Sequence, residues 1–129
     1  MIIPVIFSLI AGMIICSCSY EKGNITKECV LPDTVSFNQD LVPIFTTECS
    51  IAGCHTSSAH AGSLNLEASA AYSQLLHPGS GYVDTLNPTF SILYSTLISS
   101  SNPMPPTGKL DNCKLKLVLK WIYQKAKNN

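Results

Sequence analysis

The chain has 129 residues, a length that suits a single domain. Charged residues make up 12% of it, well below the share of about 25% in an ordinary soluble domain, and 8 basic residues balance 8 acidic ones. A basic surface for nucleic acid is therefore not expected. The 6 cysteines in so short a chain point instead to disulfide, lipid or cofactor roles for these thiols.

The first residues, 1–15, are almost entirely apolar, and this run is shorter than the roughly 20 residues that a membrane-spanning helix needs. It is typical of an export signal, although no basic side chain precedes it. The following Ile15-Cys-Ser-Cys18 resembles a bacterial lipobox, which implies a lipoprotein signal peptide at 1–17 and a lipid on Cys18. The alternative is an uncleaved membrane anchor. Either arrangement predicts a domain in the cell envelope, facing the periplasm or the exterior.

Residues 18–34 contain glycine, asparagine and proline with little apolar periodicity, which predicts a tether to a domain at 35–129. At the start of that domain Ser36 precedes an apolar stripe with helical spacing and is expected to cap the helix. Pro43 fits this helix only if it lies near the first turn. The helix is expected to end at Cys49. Its apolar stripe consists of Phe37, Leu41, Ile44 and Phe45.

The stretch Cys49-Ser-Ile-Ala-Gly-Cys54-His55 places two thiols ahead of an imidazole. Covalent haem attachment requires this combination, because both thiols add to the vinyl groups of the porphyrin and the next residue lies under the iron. The spacing is two residues longer than the common Cys-x-x-Cys-His. It predicts thioether bonds at Cys49 and Cys54 and a proximal iron ligand at His55.

Two short helices are predicted after the attachment site, over 68–76 and over 89–99. Asn87 is expected to cap the second of them, with Pro88 at its first position. Two leucines before the predicted helix over 68–76 are expected to line the cofactor pocket, Leu64 and Leu66.

Met104 lies in the proline-rich run 102–108, which predicts a stiff loop rather than a helical turn. The other methionines, Met1 and Met13, belong to the leader, so Met104 is the sole methionine of the mature chain. A core gap-filling role is the alternative for such a residue. Its polar, proline-flanked setting favours a role as the distal iron ligand.

Two histidines compete with Met104 for the distal position. His60 follows His55 by only five residues, so it is too close to the proximal ligand to reach the opposite face of a porphyrin easily. His77 precedes a proline at a predicted helix end, where a solvent-exposed or capping role is commoner. The sequence therefore favours the methionine.

The last predicted helix begins after Asp111, which is expected to cap it, and should pack across the first helix. Its apolar stripe consists of Leu115, Val118, Leu119, Ile122 and Ala126, widened by Leu117 and Trp121.

Cys16 lies in the leader, Cys18 is assigned to the lipid, and two further cysteines are assigned to the haem. The two cysteines that remain are Cys29 and Cys113. Free thiols tend to pair in an oxidising compartment, so the sequence predicts a disulfide between them. In the chain-entropy model such a long closed loop contributes roughly 4–5 kcal/mol to stability.

The order of helix, attachment site, methionine loop and amphipathic last helix resembles a small class I cytochrome c. The closer likeness is to haem c domains of the bacterial envelope with the Cys-x4-Cys-His site. It implies an all-α fold of about four short helices around a covalently bound haem c, with its iron ligated by His55 and Met104. The chain departs from that group at Lys114, where an acidic residue is frequent, and at Lys125, where glycine is frequent. The matching stretches are 35–45, 49–55, 88–94, 104–106 and 120–127.

The resemblance implies a one-electron carrier rather than an enzyme, with peroxidase-type activity left open. Its expected partners are a redox protein of the envelope and the membrane, through the lipid. One alternative is a non-haem envelope lipoprotein in which Cys49 and Cys54 form a disulfide or join two histidines in a structural zinc site. Another is a haem accessory domain of a larger oxidoreductase.

Overall fold

The computed structural model describes residues 28–129. The predicted signal peptide, the predicted lipidation site Cys18 and most of the predicted tether lie outside these described residues. Within 28–129 the regular elements are all helical, as predicted for an all-α chain. None of these helices combines the length and the apolar content that crossing a bilayer would take.

The first helix, α1, is continuous over 37–49 and ends at Cys49 as expected. It consists of the π-helical segments Phe37–Leu41 and Phe45–Cys49 on either side of one α-helical turn, Val42–Ile44. Ser36 caps it, since its Oγ accepts a hydrogen bond from the Gln39 amide.

Pro43 lies in the middle of α1, so the expectation that the helix would tolerate it only near the first turn is wrong. Proline lacks an amide donor and crowds the carbonyl four residues earlier. The wider π-helical turns on both sides accommodate this defect without breaking the helix.

The predicted helix over 68–76 is shorter in the structure, where α2 spans Ala71–Leu75. The predicted helix over 89–99 is split into a 3-10 turn, Pro88–Phe90, and the helix α3, Ile92–Ile98. A further 3-10 turn, Ala61–Ser63, precedes α2.

A hydrogen bond from a residue before the predicted helix explains the split. Ser91 is fully buried, and its hydroxyl accepts from the Asp84 amide at 2.9 Å, which holds Ser91 in a non-helical conformation. Asn87 makes no side-chain cap, contrary to expectation. The Asp84 carboxylate orders this turn instead, because it accepts from the amides of Leu86 and Asn87.

The last helix, α4, spans Asn112–Tyr123 and is capped by Asp111 as predicted, through a 3.0 Å hydrogen bond from the Lys114 amide. It ends earlier than the apolar stripe suggests, because Lys125 and Ala126 have left-handed backbone conformations. Ala126 nevertheless stays buried.

The contact between α1 and α4 is built on aromatic rings. Phe37 lies against Trp121, with ring centroids 5.2 Å apart, and against Tyr72 at 5.1 Å. Asn129 closes the end of this core, since its side chain accepts from the Phe37 amide at 3.0 Å. The first and last helices therefore pack together as the sequence predicted.

The segment before α1 lies along α4 rather than apart from it. A disulfide joins Cys29 to Cys113, with Cα atoms 5.4 Å apart. Further along, the Lys120 ammonium donates to the Pro32 carbonyl and the Gln124 amide group donates to the Asp33 carbonyl. The described end of the predicted tether is thus held to the domain by a covalent bond and by hydrogen bonds.

Candidate cofactor-binding site

A cavity of about 320 Å³ opens between the end of α1, α3 and the loops on either side of them. Ligand pockets in proteins typically measure about 300–1,000 Å³, so it is large enough to hold part of a small molecule or cofactor. Its walls are mainly apolar, and exposed residues at its rim leave it partly open to solvent. The four residues predicted to bind the haem all line it: Cys49, Cys54, His55 and Met104.

The loop from Cys49 to His55 is a closed turn at the end of α1. The His55 amide donates to the Cys49 carbonyl at 3.1 Å, and the Cys54 amide donates to the Ile51 carbonyl at 3.0 Å. Gly53 has a φ of +82°, a conformation that few other residues adopt without strain. The four residues between the cysteines therefore form a defined turn that brings both thiols to one cavity.

The two thiols are free in the structure, so they are not bonded to one another. Cys49 is buried, whereas Cys54 is partly exposed. Burial, with smaller contributions from Glu48 and Cys54, raises the pKa of the Cys49 thiol to about 11. Cys49 is therefore a neutral thiol at neutral pH.

His55 is oriented by a backbone group. Its Nδ1 lies 3.3 Å from the carbonyl oxygen of Leu64, which suits an Nδ1–H donor and leaves Nε2 as the free ring nitrogen. The Leu66 amide donates to the His55 carbonyl at 2.8 Å and joins the same two segments. Both leucines are buried and line the cavity, as predicted. A carbonyl on the second ring nitrogen is the usual partner of a metal-binding histidine.

Met104 belongs to a different segment of the chain, and a hydrogen bond to α3 holds it at the same cavity. Its amide donates to the Thr96 carbonyl at 3.1 Å, which ties the proline-rich loop to that helix. Thr96 is in turn held by its hydroxyl, which donates to the Ile92 and Leu93 carbonyls. Met104 is partly buried and packs against the core.

The competing ligands are placed elsewhere. His60 and His77 are both exposed, and neither lines the cavity. In the described part of the chain no group of three or more His, Cys, Asp or Glu side chains is arranged to hold a metal ion. The four-ligand zinc site considered from the sequence is therefore not assembled there.

Sequence reasoning did not identify two polar side chains of the cavity wall. Glu48 is the one charged residue among the described residues that line it, and its carboxylate is paired with Lys114 of α4. Because Glu48 directly precedes Cys49, its position in the sequence could have indicated that it lies near the cavity. Tyr82 also lines the cavity and donates through its hydroxyl to the Gly62 carbonyl at 3.3 Å, a contact with no signal in the sequence.

Comparison of the chain with protein-family models, with curated proteins and with solved structures finds no match. A functional proposal therefore depends on the chemistry of the cavity. Two thiols, an oriented imidazole and a thioether around one apolar cleft are a donor set that fits a c-type haem.

Proposed function

We propose that this protein is a one-electron carrier of the cell envelope that holds a covalently attached haem c. In this proposal Cys49 and Cys54 form the thioether bonds, His55 is the proximal ligand and Met104 is the distal ligand. One observation carries it: Cys49, Cys54 and His55 line the same apolar cavity as Met104, which lies far from them in sequence. The lipid on Cys18 would hold the domain at a membrane, where a redox protein of the envelope would exchange electrons with it.

The bound haem would supply reversible one-electron chemistry at its iron. His55 would bind through Nε2, because its Nδ1 faces the Leu64 carbonyl, and that contact increases the basicity of the ring. The sulfur of Met104 favours ferrous iron more than a second imidazole does, which predicts a higher reduction potential. Buried leucines of the wall, Leu64, Leu66, Leu93 and Leu97, would exclude water from the site.

The ligand assignment is tested with paired histidine variants of the protein made in cells that have a haem-attachment system. His55→Ala should lose the low-spin absorption spectrum of a six-coordinate haem. His60→Ala is the matched control, since His60 is exposed and does not line the cavity, and should keep the spectrum. A six-coordinate spectrum that persists in His55→Ala would exclude the proximal assignment.

The distal ligand is tested in the same way with Met104→Ala and His77→Ala. The weak ferric band near the red end of the spectrum that a methionine sulfur produces should disappear in Met104→Ala and remain in His77→Ala. The reduction potential of Met104→Ala should also fall. If instead the His77 variant loses its distal ligand and the Met104 variant matches the wild type, the methionine assignment is wrong.

A further inference from the structure

An ion pair crosses from the cavity wall to the last helix. Glu48 lines the cavity directly before Cys49, and its carboxylate accepts a hydrogen bond from the Lys114 ammonium. The side chains are 32% and 33% exposed, respectively, so neither is fully hydrated. Glu48 is therefore the charged part of a wall that is otherwise mainly apolar, and Lys114 pairs with it from α4.

The position of Lys114 is fixed by its surroundings. Its amide donates to the Asp111 cap at 3.0 Å, and its ammonium lies 3.7 Å from a carboxylate oxygen of Asp111. The preceding residue, Cys113, is covalently bonded to Cys29. The start of α4 thus holds the ammonium against Glu48.

We propose that the Glu48–Lys114 pair tunes the reduction potential of the redox group held in this cavity. This inference rests on the proposed function. The oxidised iron centre carries one more positive charge than the reduced centre, so the Glu48 carboxylate favours the oxidised form. Lys114 opposes that effect by balancing the carboxylate. Charges act more strongly next to an apolar cavity than in bulk water, because the local dielectric constant is lower there.

The test compares midpoint potentials of the haem-loaded protein in mediated redox titrations. At the wild-type midpoint, where ferrous and ferric forms are equal, Glu48→Gln should raise the ferrous to ferric ratio about tenfold. Lys114→Met should lower that ratio to a similar extent. A tenfold change corresponds to about 59 mV for a one-electron couple. The double variant should lie close to the wild type.

Two control variants each remove a charge of the same sign at a position away from the cavity. Asp33→Asn and Lys116→Met alter exposed residues that do not line it, and their midpoints should stay near the wild-type value. Thermal unfolding verifies that each variant is folded, and Lys114→Gln replaces Lys114→Met if the latter does not fold.

The outcomes separate this inference from the function on which it rests. A covalently attached haem with a normal spectrum, together with Glu48 and Lys114 variants that shift no more than the controls, would overturn the tuning role and leave the carrier function standing. Wild-type protein that acquires no haem would overturn both.

Discussion

The two sides of the domain are built differently. Where α1 meets α4, Phe37, Trp121 and Ile122 are at most 1% exposed, and helix caps and the Asn129 side chain complete the packing. On the cavity side, α3 and the loops at 53–66 and 103–106 surround a space with apolar walls. The first side is complete as a protein core. The second surrounds a cavity of about 320 Å³, a size within the range of ligand pockets.

The largest loss of stability should come from a substitution on the side where α1 meets α4. Trp121→Ala removes a fully buried ring and should lower the free energy of unfolding by about 3–5 kcal/mol. Leu64→Ala, in the wall of the open cavity, should cost the haem-free protein less, because its side chain is packed on fewer sides. Urea unfolding of both haem-free variants measures the difference, and an equal or larger loss in the leucine variant would contradict the contrast.

The disulfide should have the next largest effect. Replacing Cys29 and Cys113 together by alanine should destabilise the protein by about 2–4 kcal/mol, because the bond restricts the unfolded chain. This range lies below the chain-entropy value of roughly 4–5 kcal/mol, since disulfides commonly contribute less than that model gives. Denaturant unfolding with and without a reductant measures this, and the double variant should be insensitive to the reductant. Thiol titration of the denatured, unreduced holoprotein should find neither cysteine free. Two titratable thiols at these positions would show that the bond does not form.

A smaller loss is expected at the start of α4. Asp111→Ala removes the acceptor for the Lys114 amide and should cost about 1 kcal/mol. Asn112→Ala is the control, since Asn112 is exposed at the first helical position and does not provide the cap. Thermal unfolding should therefore separate the two variants, with the asparagine variant near the wild type.

The smallest effect concerns reactivity and not stability. In haem-free protein the Cys49 thiol should be alkylated slowly at pH 8, and its rate should keep rising toward pH 11, because burial raises its pKa to about 11 and only the thiolate reacts. Peptide mapping by mass spectrometry follows this residue separately from the more exposed Cys54. A Cys49 rate that levels off below pH 9 would contradict the burial of this thiol.

The features that the sequence predicts well are local ones. Ser36 and Asp111 cap their helices as expected, because a cap depends on residues only three positions apart. Cys49, Cys54 and His55 likewise line one cavity, since a short turn holds these neighbouring residues together.

The features that the sequence misses depend on contacts and backbone geometry that no local residue pattern specifies. The break at Ser91 requires the Asp84 backbone, and the pairing of Glu48 with Lys114 joins residues 66 positions apart. The middle of α1 accommodates Pro43 because the turns on both sides are π-helical, and no residue pattern specifies such turns. Element types and the packing of α1 on α4 could thus be predicted, but not the hydrogen bond at Ser91 or the ion pair at Glu48.

The most direct measurement is the intact mass of the purified protein under denaturing conditions, after expression in cells with a haem-attachment system. The wild type should carry the mass of one haem that survives denaturation, and Cys49→Ala/Cys54→Ala should carry none. A colourless wild-type product with only the mass of its polypeptide, and of any lipid at Cys18, would contradict the proposed haem site.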